Sequence, residues 1–184
     1  FKASIGKYCL EIQADMEMTE HGYNLHLTKP FNILDNIIAV SGRCCHNLFT
    51  RGGIGKLGRS IEQPIEKLQV DKNIFYVYET CNRGPLLIDR SKLIEMNYLN
   101  DEIYYLDESD RDLMARAYLE KKYICGYVPI NFNSPLSHGS TRNNKCRNQH
   151  YNNINQSQKR KLHQIYKENN KMPYYKSIWK NKPM

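Results

Sequence analysis

The strongest constraint on the fold is the alternation of short apolar runs with amphipathic, charged segments. "KYCLEIQAD" (7–15), "NIIAVSG" (36–42), "NIFYVYET" (73–80) and "YICGYVPI" (123–130) are rich in aromatic and β-branched residues, which suit a pleated, half-buried surface. Between them lie stretches with helical spacing. "GPLLIDRSKLIEMNYLND" (84–101) reads as a short strand followed by a helix from about Asp89 to Asn97. "LDESDRDLMARAY" (106–118) opens a helix over about 110–122. This order predicts an α/β domain in which helices flank a sheet. Pro30 is expected to open a short helix over 31–36, the preceding "HGYNLHLTKP" is expected to be loop, and a short helix is expected over 61–69.

Charge divides the chain. The net charge is +8, but residues 137–184 hold eleven Lys and Arg against one acid, Glu168. The body is therefore slightly negative, and the basic character belongs to the extension. Two parts are expected: a folded body over 1–136, and a basic, Asn-rich extension over 137–184 with a helix at 156–170. Such an extension can attract phosphates, nucleic acid or an anionic membrane surface. The sign of the body argues against nucleic acid as the domain's main ligand.

No apolar run approaches the length of a membrane span. Six scattered cysteines form no CxxC pair, which excludes a zinc ribbon or thioredoxin-like site and fits a reducing, cytoplasmic setting. "RCCHN" (43–47) lacks a second ligand pair at zinc spacing. "FTRGGIGKLGRS" (49–60) has four glycines but no GK[ST], so it is a flexible loop and not a Walker A phosphate loop.

Three features carry chemistry. "LDESDRDLMARAY" has the spacing of a capping box, with Ser109 set to accept the Asp112 amide. Asp112 and Arg116 are placed to pair at i, i+4 on the surface, and Leu113, Met114, Ala117 and Tyr118 to pack on the sheet. Asp107 and Glu108 read as solvated. The second feature is "IQAD", which sets acids at the end of the first strand, where ligands bind in open α/β sheets. Asp15, with Glu17, offers hard oxygen ligands for Mg²⁺ or Mn²⁺. The third is the turn before "GPLLI", where Gly84 permits close backbone approach.

In this order these features resemble the C-terminal half of a GT-A glycosyltransferase of family 2, over about Lys7 to Ile130. The family's D-x-D motif is matched by Gln13-Ala14-Asp15, with Gln13 in place of the first acid. Its Gly-containing turn and strand match Gly84-Pro85-Leu86-Leu87-Ile88. Its "GYLDE" phrase corresponds to Tyr98-Leu99-Asn100-Asp101-Glu102. Its E-D-x-D-L-x-x-R motif stands as Ser109-Asp110-Arg111-Asp112-Leu113-Met114-Ala115-Arg116, with Ser109 in place of Glu.

The resemblance implies an incomplete GT-A fold and a metal-assisted, inverting sugar transfer from a nucleotide-sugar donor to a carbohydrate or other hydroxyl acceptor. Asp110 would be the catalytic base. Asp15, Glu17 and His138 would be metal ligands for Mn²⁺ or Mg²⁺. Gln13, Gly84, Pro85, Ser109, Arg116 and Arg142 would meet donor or acceptor. The family's nucleotide-binding half would precede Lys7, so this chain alone is expected to be inactive, or part of a longer gene product. Two rival readings remain open: binding of nucleic acid or an anionic surface through the basic extension, and a non-catalytic glycosyltransferase relative, suggested by Gln13 and Ser109.

Overall fold

A computed structural model describes residues 1–43, 45–46, 64–104 and 108–134, together with 153–154, 156–158, 160–161 and 164. A mixed six-stranded sheet forms its centre. The strands are β1 (Tyr8–Glu11), β3 (Ile37–Ser41), β5 (Glu66–Val70), β6 (Asn73–Tyr78), β8 (Leu86–Asp89) and β9 (Ile124–Tyr127), in the spatial order β1-β8-β3-β9-β6-β5. β3 and β9 run parallel, and every other neighbouring pair in this sheet is antiparallel. Two small ribbons sit beside it. β2 (Glu17–Met18) pairs with β10 (Phe132–Asn133), and β4 (Cys45–His46) pairs with β7 (Thr80–Cys81).

Both faces of the sheet are covered, so its central strands are apolar throughout rather than alternating. Side chains of successive residues still point to opposite faces. On one face Leu86, Ile88, Cys125 and Tyr127 join Leu113, Met114 and Ala117 of α3 (Ser109–Lys121) and Leu93 of α2 (Arg90–Glu95). On the other, Leu87, Ile124, Phe75 and Val77 meet Leu27 of α1 (Tyr23–Thr28) and Phe31 of the 3-10 turn Lys29–Asn32. The α/β class with a mixed sheet and flanking helices is thus present. Every strand predicted from an apolar run forms, each slightly shorter than its run.

Three local expectations are overturned. "HGYNLHLTKP" is not all loop, because residues 23–28 form α1 and bury Leu27 completely. Pro30 does not open a helix over 31–36. It lies in the first turn of the 3-10 turn, which ends at Asn32. Of residues 61–69, expected to be helical, 61–63 lie outside the described residues and 66–69 belong to the edge strand β5, with a full antiparallel register to β6 from Glu66↔Val77 to Val70↔Asn73. Pairing with a strong neighbouring strand overrides the weak helical propensity of this polar stretch. In the extension, each described residue is helical. Among the described residues no helix is long and apolar enough to cross a membrane.

Candidate functional site at one rim of the sheet

A single register line crosses the sheet. Glu11 faces Leu86, Leu86 faces Ser41, and Ser41 faces Tyr127. Just beyond this line lie the segment after β1 (Gln13–Asp15), the turn before β8 (Gly84–Pro85), the exit of β3 (Gly42–Arg43) and Val128. Backbone bonds from Gly42 N to Pro85 O (2.9 Å) and from Ile130 N to Gly42 O (3.4 Å) lace this rim together. "QAD" and the Gly84 turn, widely separated in sequence, therefore converge.

Their contact is close. Gly84 has φ +62°, and a Cβ there would lie 2.7 Å from Gln13 Cγ and 2.8 Å from Met16 Sδ. The room created by the missing side chain is thus occupied by Gln13 and Met16. Arg83 Nε donates to Glu11 Oε1 at 2.7 Å and fastens the turn to β1.

Helix α3 packs on this sheet through Leu113, Met114 and Ala117. Tyr123 N donates to Ala117 O (3.2 Å), so Ala117 is level with the start of β9. From Ala117 back to Asp110 is about 10 Å along the helix axis. β9 advances by about the same distance from Ile124 to Tyr127. Asp110 therefore reaches the level of the rim. At about 100° per residue it shares the stripe of Leu113, Met114 and Ala117, which faces the sheet. It is 8 % exposed, and its Oδ1 accepts the Arg111 amide at 2.9 Å.

Asp112 points about 160° away from Asp110, and Glu108 precedes the helix. Glu108 and Asp112 each carry an arginine. Arg111 Nη1 donates to both Glu108 oxygens at 2.7 Å. Arg116 donates through Nε to Asp112 Oδ2 (2.8 Å), through Nη1 to Met96 O (2.7 Å) and through Nη2 to Tyr98 O (2.9 Å). One guanidinium thus ties α3 to the turn after α2. Tyr104, fully buried beside these acids, has no hydrogen-bond partner for its hydroxyl among the described residues. Burial, reinforced by the Asp112 and Glu108 charges, pushes that phenol up to about 12.

The capping expectation is corrected at this point. The residue before the helix is Glu108, in the left-handed region at φ 67°, and its side chain makes no capping bond. Asp112 N bonds the Glu108 carbonyl, so Ser109 is already inside the first turn. Glu108 is not solvated but fully buried, and the Asp112–Arg116 pair is internal on its acid side. Asp107 lies outside the described residues.

Of the expected metal ligands, Asp15 is half-buried at the rim. Glu17 Oε2 accepts Asn133 Nδ2 across the β2–β10 ribbon at 3.3 Å. His138, like Arg142, lies outside the described residues. Among the described residues no group of three His, Cys, Asp or Glu is placed to hold an ion. The donor set there suits only an ion that takes most of its ligands from water and substrate phosphates, as Mg²⁺ does.

Two residues escape the sequence reading. Tyr104 carries no local signal. Arg43 follows the end of β3, and the rule that drew attention to Asp15 after β1 could have found it. A cleft of about 820 Å³ opens between Phe1–Ala3 and the turn Asn97–Glu102, with Arg116 in its wall. Arg116 lies about 120° around α3 from Asp110. No family model, curated protein or solved structure matches the chain.

Proposed function

We propose that this chain is the C-terminal part of an inverting glycosyltransferase of GT-A type, with Asp110 as its base. The observation that carries the reading is the placement of Asp110. It is the carboxylate of α3's first turn that shares the sheet-facing stripe, and along the helix axis it lies at the level of the rim to which Gln13–Asp15 and Gly84–Pro85 belong.

The chemistry follows from that position. A carboxylate acting as a base accepts a proton from a hydroxyl that becomes acidic in the transition state. The acceptor oxygen forms a bond to the anomeric carbon as its proton passes to Asp110. The bond from that carbon to the diphosphate oxygen breaks, and the nucleoside diphosphate leaves with the electron pair. One base and in-line attack give inversion. Asp15 is the residue we assign to a divalent ion, with Glu17 and His138 as the further ligands that the resemblance implies. When bound, Mg²⁺ or Mn²⁺ neutralises charge on the departing diphosphate. Arg116 fixes the helix rather than the substrate, since its bonds run to Asp112, Met96 and Tyr98.

A second reading, a non-catalytic relative, is favoured by Gln13. Its side chain packs on Gly84 where the family has an acid. One experiment separates the two. The gene product containing this chain is incubated with Mn²⁺, a panel of nucleotide-sugars and hydroxyl acceptors. Transfer with inverted configuration supports the enzyme. Binding of nucleoside diphosphate without transfer supports the relative.

A further inference from the structure

We propose that Arg43 forms an oxyanion-binding position at the sheet rim, suited to phosphate oxygens. Its Nε is buried and has no hydrogen-bond partner among the described residues. No ion pair among the described residues involves it either, whereas Arg83, across the same rim, is committed to Glu11. A buried guanidinium N–H without an acceptor lowers stability, so such a group marks a place where an acceptor belongs.

The backbone beneath it is locked. Arg43 N donates to Ser41 Oγ at 3.1 Å, and Ser41 Oγ donates to Asn82 O at 3.0 Å. Gly42 has no room for a side chain, since a Cβ there would lie 2.3 Å from Ile130 Cδ1 and 2.9 Å from Pro85 Cγ. Gly42 N is also bonded to Pro85 O. The Arg43 stem therefore leaves the end of a central strand from a fixed point. Arginine's planar fork matches phosphate oxygens, and charge-assisted bonds of this kind are strong. In the glycosyltransferase reading, on which this last step rests, the oxyanion is the diphosphate of the donor.

The test uses the full chain with inorganic pyrophosphate, and inorganic phosphate beside it. Titrations are followed by calorimetry and by amide NMR shifts. Arg43→Met keeps the stem but removes the donors, and Arg43→Lys keeps the charge. Pyrophosphate is expected to shift the Gly42 and Gly84 amides. Arg43→Met should weaken this binding at least about tenfold, and Arg43→Lys should restore part of it. Without ligand, Arg43→Met should melt no lower than the wild type, because it removes a buried donor that has no acceptor.

Unchanged pyrophosphate affinity in Arg43→Met overturns the proposal, as do shifts confined to the basic extension. A melting temperature well below the wild type in ligand-free Arg43→Met also overturns it, since that makes Arg43 a structural residue. Pyrophosphate binding at Arg43 in a protein that transfers no sugar leaves this site standing and removes the glycosyltransferase reading.

Discussion

The carboxylates at the start of α3 stand in two different surroundings. Toward the turn after α2, Glu108 and Asp112 are buried and matched by Arg111 and Arg116, and Arg116 also holds the carbonyls of Met96 and Tyr98. Toward the sheet, Asp110 follows the apolar stripe to its end and arrives at the rim. Buried charges are tolerated when paired and hydrogen-bonded. The difference teaches that a cluster of acids at a helix start has to be sorted by angle around the axis, not by sequence proximity.

Breaking the turn-facing side should have the largest effect on stability. Arg116→Ala leaves the buried Asp112 carboxylate without its cation and frees two carbonyls. We expect a loss of about 2–3 kcal/mol, discounted for the partial exposure of Arg116, read as a lower urea midpoint. A loss under about 0.5 kcal/mol would show that this side is not the anchor.

The rim should come next. Gly84→Ala places a methyl group against Gln13 and Met16 at a left-handed φ, for a loss of about 1–3 kcal/mol. Equal stability of the variant would mean that the two rim segments do not meet as described.

Asp89 sharpens the comparison by acting as a cap on α2. Burial raises its carboxyl, but bonds from Ser91 Oγ, Lys92 N and Lys92 Nζ outweigh this and hold it below its ordinary 3.8. A lowered folded pKa gives stability that is present above the unfolded value and lost as pH falls through the folded one. Asp89→Asn should therefore lose about 1 kcal/mol at neutral pH, and the gap from the wild type should close in acid below about pH 4. A gap that stays constant with pH would remove the electrostatic part of this account.

The smallest change in stability is expected at Asp110. Asp110→Asn removes a charge from a helix N-terminus, worth about 0.3–1 kcal/mol. Thermal unfolding measures it directly.

The sheet was legible where a strand is buried on both faces, because "NIIAVSG" and "NIFYVYET" have no other favourable fate. β5 was not legible. It is an edge strand whose Glu66, Lys67 and Gln69 are tolerated there, and only its register with β6 defines it. α1 is six residues long, with Gly22 before it and no capping side chain, too short for a periodic signal. Asp110, Asp112 and Arg116 were legible as a motif. The burial of Glu108 was not, since an i, i+3 pair with Arg111 reads the same on a surface as in a core. The meeting of Gln13 with Gly84, and the exit of Arg43 beside them, depend on pairings between distant strands that no local pattern encodes.

The central claim is that Asp110, and not Glu108 or Asp112, removes the acceptor proton. The most direct measurement is the turnover of Asp110→Asn in the gene product containing this chain, taken with its melting temperature. The account expects a fall of about 10²–10⁴-fold at near-normal stability and with nucleoside diphosphate binding retained. Near-normal turnover in that variant would contradict it.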